Sequence, residues 1–326
     1  LPAGLAVGTQ GTVTVAAAAM GGDGGRGNTD LTDQHFSLVA YNFAEPTTPT
    51  NAPFDFTGDG KTDLAIYRPA VGEWWYSSTE TGGGSSAVQF GTSTDTIVPA
   101  DYTGDGKTDD AIWRPNTGEW FVLRSEDNTY FSFAFGVAGD TPAPGDFDGD
   151  GRVDVTVFRA ASGTWFSARS SGGTQIRGFG ISGDRPVVGD YDGDGLADIA
   201  IYRPSGGEWW INRSSAGVAV VQFGSSTDKT VQGDFTGDGR TDVAFWRPST
   251  GEWYVLRSEN GSFFSFPYGQ LGDVPVPGDY DGDGRCDAAV FRPASTLWFV
   301  NRSTAGSYIA QFGLTTDMAV PSAYVR

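Results

Sequence analysis

The chain is poor in the residues that most often build disulfides and catalytic sites. Its 326 residues include one Cys, one His and two Met. The single cysteine, Cys286, excludes an intrachain disulfide, so another feature must stabilise the fold. The one histidine, His35, lies in a predicted strand with no Ser-His-Asp pattern around it. The sequence therefore predicts no catalytic triad.

Basic residues are scarce as well. The chain has 21 Lys and Arg against 40 Asp and Glu, a formal charge of −19. Nucleic acids and anionic membrane surfaces are bound by clustered Lys and Arg, so neither is a predicted partner. Long apolar runs are missing too. Residues 1–20 lack a basic leading region and are interrupted by Thr, Gln and Gly, so they resemble neither a signal peptide nor a membrane helix.

Glycine, proline and aromatic residues are abundant instead. The chain contains 48 Gly, 17 Pro, 22 Phe, 12 Tyr and 10 Trp. This composition is typical of many short strands joined by tight turns, with large side chains between the sheets. It predicts an all-β fold without long helices.

An acidic loop recurs along the chain. Each copy of the loop marks one repeat unit of the chain. In the fifth unit, four segments have the apolar and β-branched composition of strands: 230–235, 242–247, 252–257 and 262–268. Four strands per unit and a period near 45 residues predict a β-propeller of four-stranded antiparallel blades. A longer repeat is superimposed on this period, because residues 88–147 reappear about 133 positions later. The copies of the loop begin at Asp55, Asp101, Asp146, Asp190, Asp234 and Asp279, with spacings of 46, 45, 44, 44 and 45.

The chain ends decide the predicted number of blades. Residues 53–313 contain six full repeats, and residues 1–52 and 314–326 flank them. We predict that these flanks form a seventh blade closed by both termini, so that residues 1–326 are one propeller without exposed edges. The alternatives are six blades with a terminal hairpin, and a terminal strand exchanged between molecules. The flanking strands are predicted at 5–10, 12–18, 35–43 and 319–325, with a surface loop at 21–34.

The acidic loops have the donor spacing of a cation site. They read DFTGDGKTD, DYTGDGKTD, DFDGDGRVD, DYDGDGLAD, DFTGDGRTD and DYDGDGRCD. Side-chain oxygens at positions 1, 3, 5 and 9 and the backbone carbonyl at position 7 converge on one ion if Gly at positions 4 and 6 lets the chain curl. Oxygen donors of this number favour Ca²⁺ over Mg²⁺. An Asp-Gly hairpin turn without metal is the alternative.

The predicted calcium ligands are six sets of five residues. Position 7 contributes its carbonyl whatever its side chain. The sets are Asp55, Thr57, Asp59, Lys61 and Asp63; Asp101, Thr103, Asp105, Lys107 and Asp109; Asp146, Asp148, Asp150, Arg152 and Asp154; Asp190, Asp192, Asp194, Leu196 and Asp198; Asp234, Thr236, Asp238, Arg240 and Asp242; and Asp279, Asp281, Asp283, Arg285 and Asp287.

Charge, donor type and calcium affinity add three expectations. The loops hold 21 of the 40 acids, so about six Ca²⁺ would change the charge from −19 to −7. Loops with Thr57, Thr103 or Thr236 at position 3 are expected to bind less tightly, because a hydroxyl is a weaker donor than a carboxylate. Extracellular calcium modules bind at roughly 10⁻⁴ to 10⁻³ M, which predicts secretion or surface display.

The loops, the strands that follow and the recurring Phe-Gly pairs resemble the FG-GAP or VCBS repeats of propellers like those of integrin α-subunits. Phe90-Gly91, Phe135-Gly136, Phe179-Gly180, Phe223-Gly224 and Phe312-Gly313 close five units, whereas the fifth unit has Tyr268-Gly269. The resemblance implies structural Ca²⁺ between the first two strands of each blade, and an adhesive or carbohydrate-binding role. Fungal lectins with seven-bladed calcium propellers are also similar, and this likeness implies sugar sites between blades.

Other recurring residues have two interpretations each. The ring of Trp74, Trp120, Trp165, Trp209, Trp253 and Trp298 is favoured as inter-blade core over ligand platforms. The recurring arginines, Arg68, Arg114, Arg159, Arg203, Arg247 and Arg292, are favoured as partners of carboxylates over ligand contacts. Cys286, at loop position 8, is favoured as a small packed side chain over a reactive thiol.

The leading hypothesis is therefore a calcium-stabilised binding or adhesion module without enzymatic activity. Its expected partner is a glycan or a protein. A structural or self-assembling surface protein, and the non-catalytic propeller of a polysaccharide-degrading enzyme, are the alternatives.

Overall fold

The regular structure is almost entirely β. The computed structural model describes residues 52–77 and 85–326. No helix in these ranges is long and apolar enough to cross a membrane. A single 3-10 turn, Val320–Ser322, follows the last strand. In chain order the strands are β1 (Leu64–Arg68), β2 (Glu73–Ser77), β3 (Ser86–Gln89), β4 (Thr96–Ile97), β5 (Asp110–Arg114), β6 (Glu119–Leu123), β7 (Tyr130–Ala134), β8 (Thr141–Pro142), β9 (Val155–Arg159), β10 (Thr164–Ala168), β11 (Thr174–Gly178), β12 (Arg185–Pro186), β13 (Ile199–Arg203), β14 (Glu208–Arg213), β15 (Gly217–Gln222), β16 (Lys229–Thr230), β17 (Val243–Arg247), β18 (Glu252–Leu256), β19 (Phe263–Pro267), β20 (Val274–Pro275), β21 (Ala288–Arg292), β22 (Leu297–Arg302), β23 (Gly306–Gln311) and β24 (Met318–Ala319).

The strands form six four-stranded antiparallel sheets, which are the blades of a propeller. Blade 1 has the order β24-β1-β2-β3, and each later blade contains four consecutive strands, from β4–β7 in blade 2 to β20–β23 in blade 6. The innermost strands are only two residues long, so the predicted first segment of the fifth unit was too long. The predictions of an all-β propeller and of four strands per blade are confirmed.

The prediction of seven blades is wrong. Residues 318 and 319 are the innermost strand of blade 1, where Ala319 pairs with Ile66 and Met318 with Tyr67. The C-terminal segment therefore completes the first repeat instead of starting a further blade. The described residues agree with the six-bladed alternative, and the strands predicted within residues 1–51 lie outside them.

A ring of hydrogen bonds between the acidic loops closes the propeller. The backbone N–H at position 8 of each loop donates to the position-1 carbonyl of the preceding loop, at 2.6–2.8 Å. The last bond of the ring runs from Thr62 N to Asp279 O, at 2.6 Å, and joins blade 1 to blade 6. A seventh blade between blades 6 and 1 would break this bond.

Aromatic and aliphatic side chains fill the six interfaces between neighbouring blades. Each interface has its own apolar cluster. The recurring tryptophan of the third strand is at most 1% exposed in every blade. Its indole N–H donates to the carbonyl that precedes the closing glycine, as from Trp209 to Phe223 at 2.7 Å. This confirms the interpretation of these tryptophans as core.

On the face opposite the acidic loops, each blade has a bidentate ion pair between its recurring arginine and an aspartate. Arg159 donates from Nε and Nη2 to Asp140 at 2.7 and 2.9 Å, and its guanidinium lies 4.4 Å from the Phe166 ring centroid. The aspartate side chain is at most 1% exposed in all six pairs. These arginines are therefore partners of carboxylates, as favoured from the sequence.

Candidate metal centres

In blades 2 to 6 each acidic loop joins the innermost strand to the second strand, whereas in blade 1 the loop precedes β1 and the innermost strand is β24. The glycines at positions 4 and 6 have φ between 74° and 86° in all six loops. Few residues other than glycine adopt this left-handed conformation without strain. The loops therefore have the tight curl that the Asp-Gly pattern predicts.

The position-1 carboxylate holds this curl in place. In the third loop, Asp146 Oδ1 accepts the Gly149 N–H at 2.6 Å and Asp146 Oδ2 accepts the Gly151 N–H at 2.9 Å. The same two bonds recur in every other loop. Each carboxylate oxygen has a second lone pair, so these bonds leave acceptor capacity for an ion.

The position-9 carboxylate is buried beneath the loop. Asp154 accepts the Phe147 N–H at 3.1 Å and the Ser170 N–H at 2.7 Å. Burial raises the pKa of Asp63 and Asp287 to about 7, with neighbouring loop carboxylates adding to the effect. A raised pKa means that these groups favour either a bound proton or a nearby cation.

A serine that the sequence analysis did not select links positions 5 and 9. Ser170, in the hairpin after β10, donates from Oγ to Asp150 Oδ1 at 2.8 Å and to Asp154 Oδ1 at 3.0 Å. Equivalent serines occupy the hairpins of the other fully described blades. The available signal was a serine recurring 16 residues after position 9 in those blades: Ser125, Ser170, Ser214, Ser258 and Ser303.

Position 3 provides the observation that most directly points to a ligand. Its inward oxygen is buried without a hydrogen-bond partner in five of the six loops. In the first loop, Thr57 Oγ1 instead bonds Asp63 Oδ1 at 3.2 Å. A buried oxygen without a partner is unfavourable unless another group satisfies it. The unpaired oxygens are Thr103 Oγ1, Asp148 Oδ1, Asp192 Oδ1, Thr236 Oγ1 and Asp281 Oδ1.

The loop carboxylates converge as a cation site requires. In the third, fourth and sixth loops, three aspartates each bring an oxygen to within 4.8 Å of the other two. Two ligands on opposite sides of Ca²⁺ at about 2.4 Å are about 4.8 Å apart. Acidic residues and buried acceptors in this arrangement therefore fit a hard divalent cation.

The structure brings three of the predicted carboxylate ligands together in the third, fourth and sixth loops, whereas the described residues of the Thr-containing loops show no such cluster of three acidic residues. Amide and hydroxyl donors surround the position-1, 5 and 9 carboxylates, so repulsion between them is partly balanced within the protein. The position-3 oxygen is the donor that protein groups leave unsatisfied. The presence of calcium stays a prediction, developed below.

Family models match more than half of the chain. The FG-GAP-like repeat model matches residues 55–112, 146–201 and 234–290, and an FG-GAP repeat model matches residues 182–221. The chain belongs to the FG-GAP-like repeat family. No curated protein matches this FG-GAP-like chain.

Solved propellers are similar to the FG-GAP-like chain in fold. A lectin of Agrocybe aegerita, described as recognising non-reducing terminal N-acetylglucosamine, is 17% identical and has a TM-score of 0.51, over 83% of this chain and 81% of the lectin. Virginiamycin B lyase of Staphylococcus aureus is 8% identical with a TM-score of 0.49, over 81% of this chain and 89% of the lyase. At these identities the lectin supports the propeller fold alone.

Proposed function

We propose that this FG-GAP-like propeller is a calcium-stabilised binding module, secreted or displayed on a cell surface, whose ligands are glycans. The calcium part rests on the position-3 oxygens, which are buried and unpaired in five loops. When bound, Ca²⁺ would supply the positive charge that these oxygens and the position-9 carboxylates lack. Positions 1, 3, 5 and 9 and the position-7 carbonyl would hold it.

The glycan part rests on two exposed aromatic side chains on outer strands, each next to a partly buried phenylalanine of the neighbouring blade. Tyr130 is 65% exposed and its ring centroid is 6.3 Å from that of Phe90, which belongs to the neighbouring blade. Phe263 is 63% exposed and lies 6.1 Å from Phe223 in the same way. Exposed aromatic rings at the boundary between two blades can stack against the C–H face of a sugar ring, and burying them against a ligand is favourable.

The two aromatic pairs are copies of each other. Residues 90 and 130 correspond to residues 223 and 263 in the 133-residue internal repeat. In a six-bladed ring, the interface of blades 1 and 2 lies opposite that of blades 4 and 5. Two equivalent weak sites on one chain favour multivalent ligands, because avidity exceeds the affinity of either site.

A glycan array tests this proposal. The array should include glycans that end in N-acetylglucosamine. In the presence of calcium, the wild-type protein should bind at least one group of glycans on the array. The double variant Tyr130→Ala and Phe263→Ala should lose that binding. Ile176→Ala is the matched control, because Ile176 is an aliphatic side chain that is 63% exposed on the outer strand of blade 3.

Two outcomes would contradict the proposal. One is the absence of binding to any glycan, and the other is equal binding by wild type and the double variant. Loss of binding in EDTA with a retained fold would place calcium at the ligand site, whereas loss with unfolding would assign it a structural role.

The competing interpretations have their own measurements. Strand exchange would produce oligomers, and sedimentation of dilute protein at a monomer mass would exclude it. The prediction that the chain is not an enzyme is tested by incubation with polysaccharides and analysis for depolymerisation.

A further inference from the structure

The residue type at position 3 of each acidic loop correlates with the residue type 23 positions later. Loops with Asp at position 3 have a hydroxyl residue there: Ser171, Ser215 and Thr304. Loops with Thr at position 3 have a glutamate there: Glu80, Glu126 and Glu259. The exchange holds in all six units, so each unit keeps four carboxylates.

The structure shows why these two positions are related. In the loops with Asp, the later hydroxyl contacts the position-3 side chain: Ser215 Oγ donates to Asp192 Oδ2 at 2.8 Å, and Thr304 Oγ1 to Asp281 Oδ2 at 2.8 Å. The hairpin that carries this residue therefore lies directly against the loop.

The hairpins of the Thr-containing units are anchored in the same way. Ser125 N donates to Asp109 Oδ1 at 2.8 Å, as Ser214 N does to Asp198 Oδ1 at 2.6 Å. Glu126, the next residue, thus starts from the place that Ser215 occupies in blade 4. In these units the loop has a threonine where the others have an aspartate, and the hairpin has a glutamate where the others have a serine or threonine. The fourth carboxylate of the unit is therefore on the hairpin and not on the loop.

The Thr-containing loops are otherwise incomplete. Thr103 Oγ1 and Thr236 Oγ1 are buried and have no hydrogen-bond partner. Glu126 and Glu259 are exposed in the structure, and Glu259 lies at 4.0 Å from Arg257. Glu80 lies outside the described residues.

We propose that Glu126 and Glu259 are calcium ligands that replace the carboxylate missing at position 3 of their loops. This inference rests on the proposed calcium sites. It also replaces the expectation of weaker binding in Thr-containing loops, since every complete site has four carboxylates.

Calorimetric titration of metal-free protein with CaCl₂ tests the proposal. Glu126→Gln should weaken one site at least tenfold, and adding Glu259→Gln should weaken a second. Asp127→Asn is the matched control, because Asp127 is exposed in the same hairpin and bonds only Thr129. It should change no site by more than about twofold.

A charge transfer makes the test more specific. Thr103→Asp combined with Glu126→Ser gives blade 2 the pattern of blade 4, and this variant should regain wild-type affinity. Equal calcium binding by Glu126→Gln and wild type, with six sites in both, would overturn the glutamate inference alone. No calcium binding by the wild type would overturn the proposed calcium sites.

A second inference comes from the centre of the ring and is independent of calcium. A cavity of about 600 Å³ lies there, with apolar walls that include Pro99, Pro144 and Val188. Its acidic lining residues are position-1 aspartates, whose carboxylates accept N–H groups of their own loops. Its basic lining residues form no ion pair among the described residues: Lys107, Arg152, Arg285 and Arg326.

Arg326 has unused capacity for an anion. Its Nη1 donates to Ala323 O at 2.7 Å and its Nη2 to Pro142 O at 3.4 Å, but its buried Nε has no partner. Burial lowers the pKa of Arg326, nearby Tyr324 acts in the opposite direction, and Arg185 adds to the lowering. The side-chain oxygen of Gln232, also on the cavity wall, is buried without a partner. Four basic and four acidic side chains line the cavity, so the lining has no net formal charge, and the basic groups without an ion pair are those that an anion would contact.

We infer that the central cavity binds a small organic anion with an apolar body. Cavities of roughly 300–1,000 Å³ with apolar walls and few polar groups are typical ligand sites. The guanidinium would recognise a carboxylate, sulfonate or phosphate, and the proline-rich wall would contact the rest of the molecule.

Two fluorescent probes of similar shape test this inference. The anionic probe is 8-anilinonaphthalene-1-sulfonate, and the uncharged probe is N-phenyl-1-naphthylamine. Native protein should bind about one anionic probe and bind the uncharged probe at least tenfold more weakly. Arg326→Gln should lose at least tenfold in affinity for the anion, and Val188→Trp should block both probes by filling the cavity.

Arg302→Gln is the matched control, because Arg302 also donates to backbone carbonyls but lies on an exposed hairpin. Near-ultraviolet circular dichroism checks that each variant keeps its fold. Equal binding of the anionic probe by Arg326→Gln and wild type, or equal binding of the two probes by wild type, would overturn the inference.

Discussion

The ion pairs opposite the acidic loops should be essential to stability, and blade 3 offers the clearest test. The side chain of Asp140 is 1% exposed and accepts two hydrogen bonds from Arg159, whose own side chain is 32% exposed. Arg159→Leu leaves this carboxylate buried without its cation. Removing one partner of a buried pair costs about 3–5 kcal/mol. Because the arginine is partly solvated, we expect the lower part of that range.

This loss is large enough to measure by thermal unfolding. For a domain of more than 250 residues, 1 kcal/mol shifts the melting temperature by about 2 °C, so Arg159→Leu should lower it by about 5–6 °C. Arg177→Leu is the control, because Arg177 is exposed in the same blade. A melting temperature of Arg159→Leu within 2 °C of the control would refute the reasoning.

Three further predictions follow from the turns, the loops and the cysteine. Gly163→Ala should destabilise the protein strongly, because Gly163 has a φ of 60° and the new Cβ would lie 2.1 Å from Gly180 O. Gly178→Ala is the control, because its Cβ would meet nothing within 4 Å. Denaturant titration should show a large loss of stability for the first variant and a small one for the second. In metal-free protein, the pKa of Asp63 and Asp287 is about 7 in the folded state, against an ordinary value of 3.8. Between these pH values the folded state binds more protons than the unfolded state, so the free energy of unfolding should fall as the pH rises from 4 to 7. With calcium the slope should reverse, which urea titrations at several pH values would show. Burial raises the pKa of Cys286, so iodoacetamide at pH 8 should alkylate it more slowly in native protein than in unfolded protein; equal rates would contradict this.

Periodicity allowed most of the blade to be predicted. Strand composition, turn glycines and the recurring tryptophan repeat in every unit. Equivalent residues pack against equivalent neighbours in every blade, so the residue types that packing requires recur and can be recognised in the sequence. The loop curl was equally predictable, since Gly at positions 4 and 6 is required by φ values near 80°.

The number of blades was not predictable in the same way. The innermost strand is two residues long and makes few contacts of its own, so its sequence does not specify which blade it completes. The segment that contains it, MAVP at 318–321, resembles TIVP at 96–99 in blade 2 and VPVP at 274–277 in blade 6. Its partner, β1, is selected by closure of the ring, where Arg68 also binds Asp317 at 3.0 Å.

The site was partly predictable for a similar reason. Ligand spacing within one loop is visible in the sequence, whereas the hairpin residues that complete the site are 16 and 23 positions away from their partners. Ser170 and Glu126 become candidates only when the fold places the hairpin on the loop.

The direct test of the account is calorimetric titration of EDTA-treated protein with calcium, combined with thermal unfolding before and after. We predict about six bound Ca²⁺ per chain, and a melting temperature that falls when calcium is removed and recovers when it is restored. Binding of no calcium, or a melting temperature that EDTA does not change, would contradict the claim that the acidic loops need a cation.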